Sequence, residues 1–183
     1  MGNDGKGKLQ VILKACTTLS VDTAPACIFN FTIMHAQVDI GNKNVLIIGK
    51  PASGKTFLAK QLAHDNPGHH LVHTDDYIKY GYKEALYTLL MHLGGISKPT
   101  IIEGVLGYRM LRKGVELDCY YPDIVIELEI SDAHMFQTYK EQRQTKDESY
   151  LKGFNAAHQK ILNDYKAMVN KHPPQWHRIP NNY

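Results

Sequence analysis

The sequence predicts a three-layer α/β/α domain around a five-stranded parallel sheet. Three observations carry that expectation. From residue 44 onward, short apolar runs rich in β-branched residues alternate with segments of helical periodicity. Strands alternating with helices imply a parallel sheet covered on both faces. The chain of 183 residues also suits one domain with a full core and at most a small appendage.

The elements follow in order. Residues 1–40 stand apart: "KLQVILKA" and "ACIFNFTI" each read as a strand, parted by the polar "CTTLSVDTAP". They form either a hairpin extending the sheet edge or a flexible leader. "VLII" (45–48) is short, β-branched and bounded by glycine, so it reads as a buried strand. "KTFLAKQLAHD" is a helix with Phe57, Leu58, Leu62 and Ala63 on one apolar face. After the breaker "DNPGH", the second strand is "HLVHT" (70–74). "YKEALYTLLMHLGG" has helical spacing and ends in glycines, a usual helix stop. "PTIIEG" (99–104) is the third strand and "YRMLRKGVEL" a short helix. "PDIVIELEI" (122–130) is the fourth strand, followed by the helix "DAHMFQTYKEQRQ". The helix "YLKGFNAAHQKILNDYKAMVNK" then leads to "WHRI", the fifth strand.

Composition narrows the class. Hydrophobic residues at 43% and charged residues at 21% are ordinary for a globular protein. No apolar run approaches the ~20 residues of a membrane span, and "MGNDGKGKLQ" lacks the apolar stretch of a secretory signal. Cys16, Cys27 and Cys119 show neither close pairing nor metal spacing, so a reducing cytoplasm is expected. A formal charge of +3 is too small to argue for nucleic acid alone and does not oppose an anionic substrate. The residues carry no signal for oligomeric state.

Chemistry concentrates where the first strand meets its helix. Gly49, Lys50, Pro51, Ala52, Ser53, Gly54, Lys55 and Thr56 spell G-x-x-x-x-G-K-T, the P-loop pattern. The two glycines let the backbone wrap close to a phosphate. The loop amides and the helix N-terminus, including Phe57, converge on one point that favours an anion. Lys55 is placed to reach the β- and γ-phosphates, and Thr56 to offer its hydroxyl to Mg²⁺. ATP with Mg²⁺ is the expected occupant.

Ligands of parallel sheets sit beyond the carboxyl ends of the strands. After the second strand come Asp75 and Asp76, placed either to take a proton from an attacking hydroxyl or to hold hydrated Mg²⁺; an alternative is that Thr74 or Asp75 caps a helix. Tyr77 and Tyr80 either line an acceptor pocket or pack. After the third strand comes Glu103, an acid in the Walker B arrangement, near the metal and the γ-phosphate. Arg109 either binds an anionic part of the acceptor or is a solvated helix arginine. Lys140, Arg143 and Lys146 cluster in a polar stretch between two helices; of these, Arg143 suits stabilisation of charge on a transferring phosphoryl. "GHHLVH" groups three histidines, but His70 and His73 point to opposite sides of a strand. No histidine is assigned a metal.

In that order these residues resemble the P-loop kinase superfamily, most closely its small nucleoside, nicotinamide-riboside, uridine and polynucleotide 5′-hydroxyl kinases. The matching elements are "GKPASGKT", "TDDY", "IIEG", "PDIVIELEIS", the Arg143 segment and "WHRIPNN", the last similar to the family's final strand and adenine-side loop. The resemblance spans residue 44 to the end. It implies a five-stranded parallel sheet with helices on both sides, Asp75 as general base, and Lys55 and Arg143 stabilising the transferring group. It implies a LID-like segment near 140–152, within a kinase domain of residues 41–183. Two departures bear on the substrate. The LID stretch has one arginine where many relatives have several, and Ile78 stands where polynucleotide kinases carry an arginine.

The expected activity is ATP-dependent transfer of the γ-phosphoryl group to a hydroxyl of a nucleoside, nucleotide or nucleic acid, including a modified base in DNA. In that reading Thr56 binds the metal, Glu103 and Asp76 order its water shell, and Tyr77 and Arg109 face the acceptor. The alternative is an ATPase or helicase-like switch, which the P-loop alone would also suit.

Overall fold

The computed structural model describes residues 38–143, 148–169 and 173–180. The hairpin expected within residues 1–40 falls almost wholly outside them. The described residues from 40 onward form one compact unit, with strands β1 (Val45–Gly49), β2 (His70–His73), β3 (Thr100–Glu103), β4 (Ile124–Glu129) and β5 (Gln175–Pro180). The helices are α1 (Lys55–Asp65), α2 (Tyr82–Gly94), α3 (Gly107–Glu116), α4 (Asp132–Arg143) and α5 (Glu148–Met168). One sheet results, in the order β2-β3-β1-β4-β5, with all pairings parallel. The central β1 is buried at every position, as a strand covered on both faces must be.

The register sorts side chains between the two faces. Leu46, Ile102, Val72 and Val125 lie in one row across four strands. They pack with Leu86 and Leu89 of α2, Met110 and Leu111 of α3, and Leu162 and Tyr165 of α5. The neighbouring row, Ile47, Glu103, His73 and Ile126, therefore points to the other face. There α1 lies across β1, β2 and β3. This is the three-layer arrangement expected from the alternation.

At the amino ends of the strands, Asn44 fixes the register. Its side-chain oxygen accepts from the Thr100 amide at 3.1 Å and hydroxyl at 3.0 Å, while its own amide donates to Asp123 at 2.7 Å. Close packing needs small residues at two turns of α3. A Cβ on Gly107 would come 3.0 Å from Ile48, and one on Gly114 would come 2.6 Å from the Tyr120 carbonyl oxygen.

Two local features differ from expectation. Residues Thr74–Tyr80 form a 3₁₀ turn between β2 and α2. On α1 it is Ala59 that is fully buried, whereas Phe57 is 49% exposed. Leu58, Leu62 and Ala63 are half-buried.

Candidate active site

The loop from Gly49 to Gly54 joins the central strand to α1 and holds two left-handed residues, Ala52 (φ 62°) and Gly54 (φ 83°). Such turns direct successive amides to one side. The Leu58 amide donates to the Gly54 carbonyl at 3.0 Å, so α1 opens directly from the loop and its N-terminal end lies beside the loop amides. At Gly49 a Cβ would come within 2.7 Å of both the Leu128 carbonyl oxygen and Ser53 Oγ. Only glycine fits there. Ser53 is fully buried beneath the loop.

Lys55 bends back over this cradle. Its Nζ donates to the Gly49 carbonyl at 3.1 Å and the Lys50 carbonyl at 2.8 Å. Burial lowers its pKa to about 8, and the opposing pull of Glu103 and then Asp75 keeps it from falling further. Both acids thus lie within electrostatic range of the ammonium. Lys50 turns elsewhere: its Nζ pairs with Asp132 at 2.5 Å and reaches the Ile130 carbonyl. That hydrogen bond holds the exposed Asp132 carboxyl below its usual range. Lys50 therefore serves the cradle through its backbone and fastens it to the start of α4 through its side chain.

Glu103 ends β3 and is 4% exposed. Oε2 accepts the Thr56 hydroxyl at 3.1 Å, and Oε1 meets His73 Nδ1 at 2.6 Å. A hydroxyl and a carboxylate oxygen beside the phosphate loop are the hard oxygen donors Mg²⁺ prefers, so the residues present fit that ion. Asp75 is anchored differently. Its Oδ1 accepts from the Val105 amide at 2.9 Å, and the Thr74 hydroxyl accepts from the Leu106 amide at 3.1 Å. The loop after β3 therefore fixes the turn after β2. Gly104, at φ 127°, makes this approach possible, since a Cβ there would come 2.2 Å from Thr74 Oγ1 and 2.6 Å from Asp75 Oδ1.

The structure brings together Lys55, Thr56, Glu103 and Asp75. Asp76 is exposed and lines a cavity of about 350 Å³ along the β2 edge, with His70, His73, Tyr77 and Thr88. Among the described residues, no hydrogen bond or ion pair joins Asp76 to Thr56 or Glu103. Tyr77 packs against the core and its hydroxyl is hydrogen-bonded to His92 of α2. Arg109 projects from α3 with its guanidinium 5.2 Å from the Tyr82 ring. The backbone of Arg143 closes α4; its side chain, residues 144–147 and the Asn181–Asn182 end of "WHRIPNN" lie outside the described residues.

Three residues had not been singled out as functional. His73 meets Glu103, and only the β2–β3 register shows it. His158 of α5 stacks on Tyr108 of α3, with centroids 4.1 Å apart and planes at 13°; Phe154 packs edge-on to it at 3.7 Å. Burial, then the charges of Arg109 and Lys55, lower the His158 pKa to about 4. A neutral imidazole on an aromatic shelf thus stands within range of both cations. Burial also pushes the Tyr108 hydroxyl above its ordinary pKa, helped by Glu127 and Glu129.

Comparison by sequence finds no matching family model and no matching curated protein. Among solved structures, the chain is similar to a shikimate kinase from Acinetobacter baumannii in complex with shikimate. The identity is 14%, the TM-score 0.53, and the match covers 79% of this chain and 86% of that one. A gluconokinase from Sinorhizobium meliloti 1021 matches at 12% identity and a TM-score of 0.50, over 78% of this chain and 84% of that one. The likeness does not single out the nucleoside or polynucleotide kinase subtype. At this identity it extends to the architecture alone: the five-stranded parallel sheet with helices on both sides is the fold of the P-loop kinases.

Proposed function

We propose that the protein is an ATP-dependent phosphotransferase that moves the γ-phosphoryl group to a hydroxyl of its acceptor. One observation carries the reading: a phosphate-loop lysine lies within range of two acids from neighbouring strand ends, one of them hydrogen-bonded to the loop threonine at 3.1 Å. The loop amides and Lys55 hold the triphosphate tail. Thr56 and Glu103 would hold Mg²⁺, which would supply neutralisation of phosphate charge. Asp75 orients the acceptor hydroxyl and takes its proton as the acceptor oxygen bonds to phosphorus and the bond to the ADP oxygen breaks. Positioning with electrostatic stabilisation carries most of the rate in such transfers.

We place the acceptor site beside Arg109 and His158, because His158 feels the charges of both Arg109 and Lys55. Its occupant is a hydroxyl compound, with nucleosides and nucleotides the first candidates from the sequence motifs. Nucleic acid, including modified DNA, draws no support from charge, since residues 123–183 carry eight basic and eight acidic side chains. That the chain shares a fold with a shikimate kinase and a gluconokinase brings small hydroxylated metabolites into the same test. γ-Labelled ATP incubated with nucleosides, nucleotides, oligonucleotides, modified DNA, shikimate and gluconate should place label in one class, with ADP released in proportion. ADP release that is independent of every acceptor, or that needs only polynucleotide, would assign the chain to the ATPase alternative instead.

A further inference from the structure

Glu103 is almost completely buried, yet both its oxygens are engaged. A glutamate side chain has three rotatable bonds, so a single hydroxyl partner leaves the carboxylate free to swing. The second partner comes from the sheet itself. β2 and β3 pair so that His73 lies directly beside Glu103, and both point to the α1 face. Adjacent side chains on one face of a sheet are the natural contact unit. The contact is short, 2.6 Å from Nδ1 to Oε1. A carboxylate can only accept, so Nδ1 carries the hydrogen and donates it.

We infer that His73 is a positioning residue for the metal site: its Nδ1–H fixes Oε1 of Glu103 and thereby aims Oε2 at the Thr56 hydroxyl, where Mg²⁺ would bind. The inference rests on the function proposed above and deepens it. The hydrogen bonds behind a metal-binding carboxylate set its orientation, and their loss typically lowers metal affinity or activity about 10–100-fold. The triphosphate cradle contains neither residue. His73 therefore governs the metal and leaves the grip on metal-free nucleotide unchanged, a separation that damage to the fold would not produce.

The test measures Mn²⁺ binding, by electron paramagnetic resonance, to the full chain with a non-hydrolysable ATP analogue. Metal-free analogue binding is measured alongside. His73→Leu keeps bulk but removes the donor, and should weaken Mn²⁺ binding about 10–100-fold at unchanged metal-free affinity. His73→Asn returns an N–H near the Nδ1 position and should restore most of the loss. Wild-type Mn²⁺ affinity in the leucine variant overturns the inference while the phosphotransferase reading stands. So does an asparagine variant that folds but binds Mn²⁺ about 10–100-fold more weakly than wild type, and this arm decides the matter if leucine prevents folding. A wild-type protein that binds neither the analogue nor Mn²⁺ overturns both.

Discussion

Lys55 shows how a single side chain is prepared for its ligand. Its ammonium is buried and satisfied by two loop carbonyls, and its pKa is lowered to about 8 chiefly by desolvation. The ammonium is the form that binds phosphate, and an anion bound beside it would raise the pKa again. Triphosphate affinity should therefore be flat below pH 8 and fall as pH rises above it. Titrating a fluorescent ATP analogue at pH 7 and pH 9 checks this; equal affinity would contradict the assignment. Gly104 makes a second prediction at this scale. Alanine there would collide with Thr74 and Asp75, so Gly104→Ala should cost about 1–3 kcal/mol of stability and, with Asp75 displaced from its proposed role, reduce turnover further. A variant with unchanged kcat would show that the placement of Asp75 is not critical. The loop residues were legible in the sequence because a left-handed turn and a close approach leave few residue choices. His73 was not legible, because its partner lies 30 residues away and is revealed only by which strands are neighbours.

Among the elements, α5 connects the core to the site. Ile161, Leu162 and Tyr165 bury its C-terminal half, and Arg112 of α3 pairs with its Asp164 at 3.6 Å. Nearer the site, His158 lies against Tyr108 and Phe154 with its pKa lowered to about 4 from 6.5. The unfolded chain then binds a proton before the folded one does, so His158 destabilises the fold progressively as pH falls from about 6.5 to about 4. His158→Phe should give a melting temperature that depends less on pH across that window. Parallel curves for the two proteins would show that the imidazole is not held neutral. The helices and strands were read from periodicity to within a few residues, since each has one period and clear breakers. The 3₁₀ turn at Thr74–Tyr80 has no such period, and its Thr-Asp-Asp start equally suits a helix cap. Phe57, exposed although it shares the apolar spacing of α1, shows that helical spacing alone does not tell which turns meet the core.

At the scale of the whole molecule, the order β2-β3-β1-β4-β5 brings the site together. It sets β1 between β3 and β4, so the loop after β1 opens at the sheet's centre, and it places β2 beside β3, so Asp75 and Glu103 follow neighbouring strands on one side of β1. Alternation in the sequence implied a parallel sheet; the strand order depends on how each crossover packs, which no local pattern encodes. The acceptor was the least legible part for a related reason. Arg109 and His158, proposed to bound it, come from two helices distant in sequence, and only the fold brings the charge of one to bear on the other. No described helix is long and apolar enough to cross a membrane. The account as a whole requires one acid to act on the acceptor and the loop to act on the nucleotide, independently of each other. Steady-state turnover of Asp75→Asn, measured beside its nucleotide affinity, tests that division most directly. A general base contributes about 10²–10⁴-fold, so kcat should fall by that factor while the affinity for metal–nucleotide stays at the wild-type level. An Asp75→Asn protein with wild-type kcat would contradict the account.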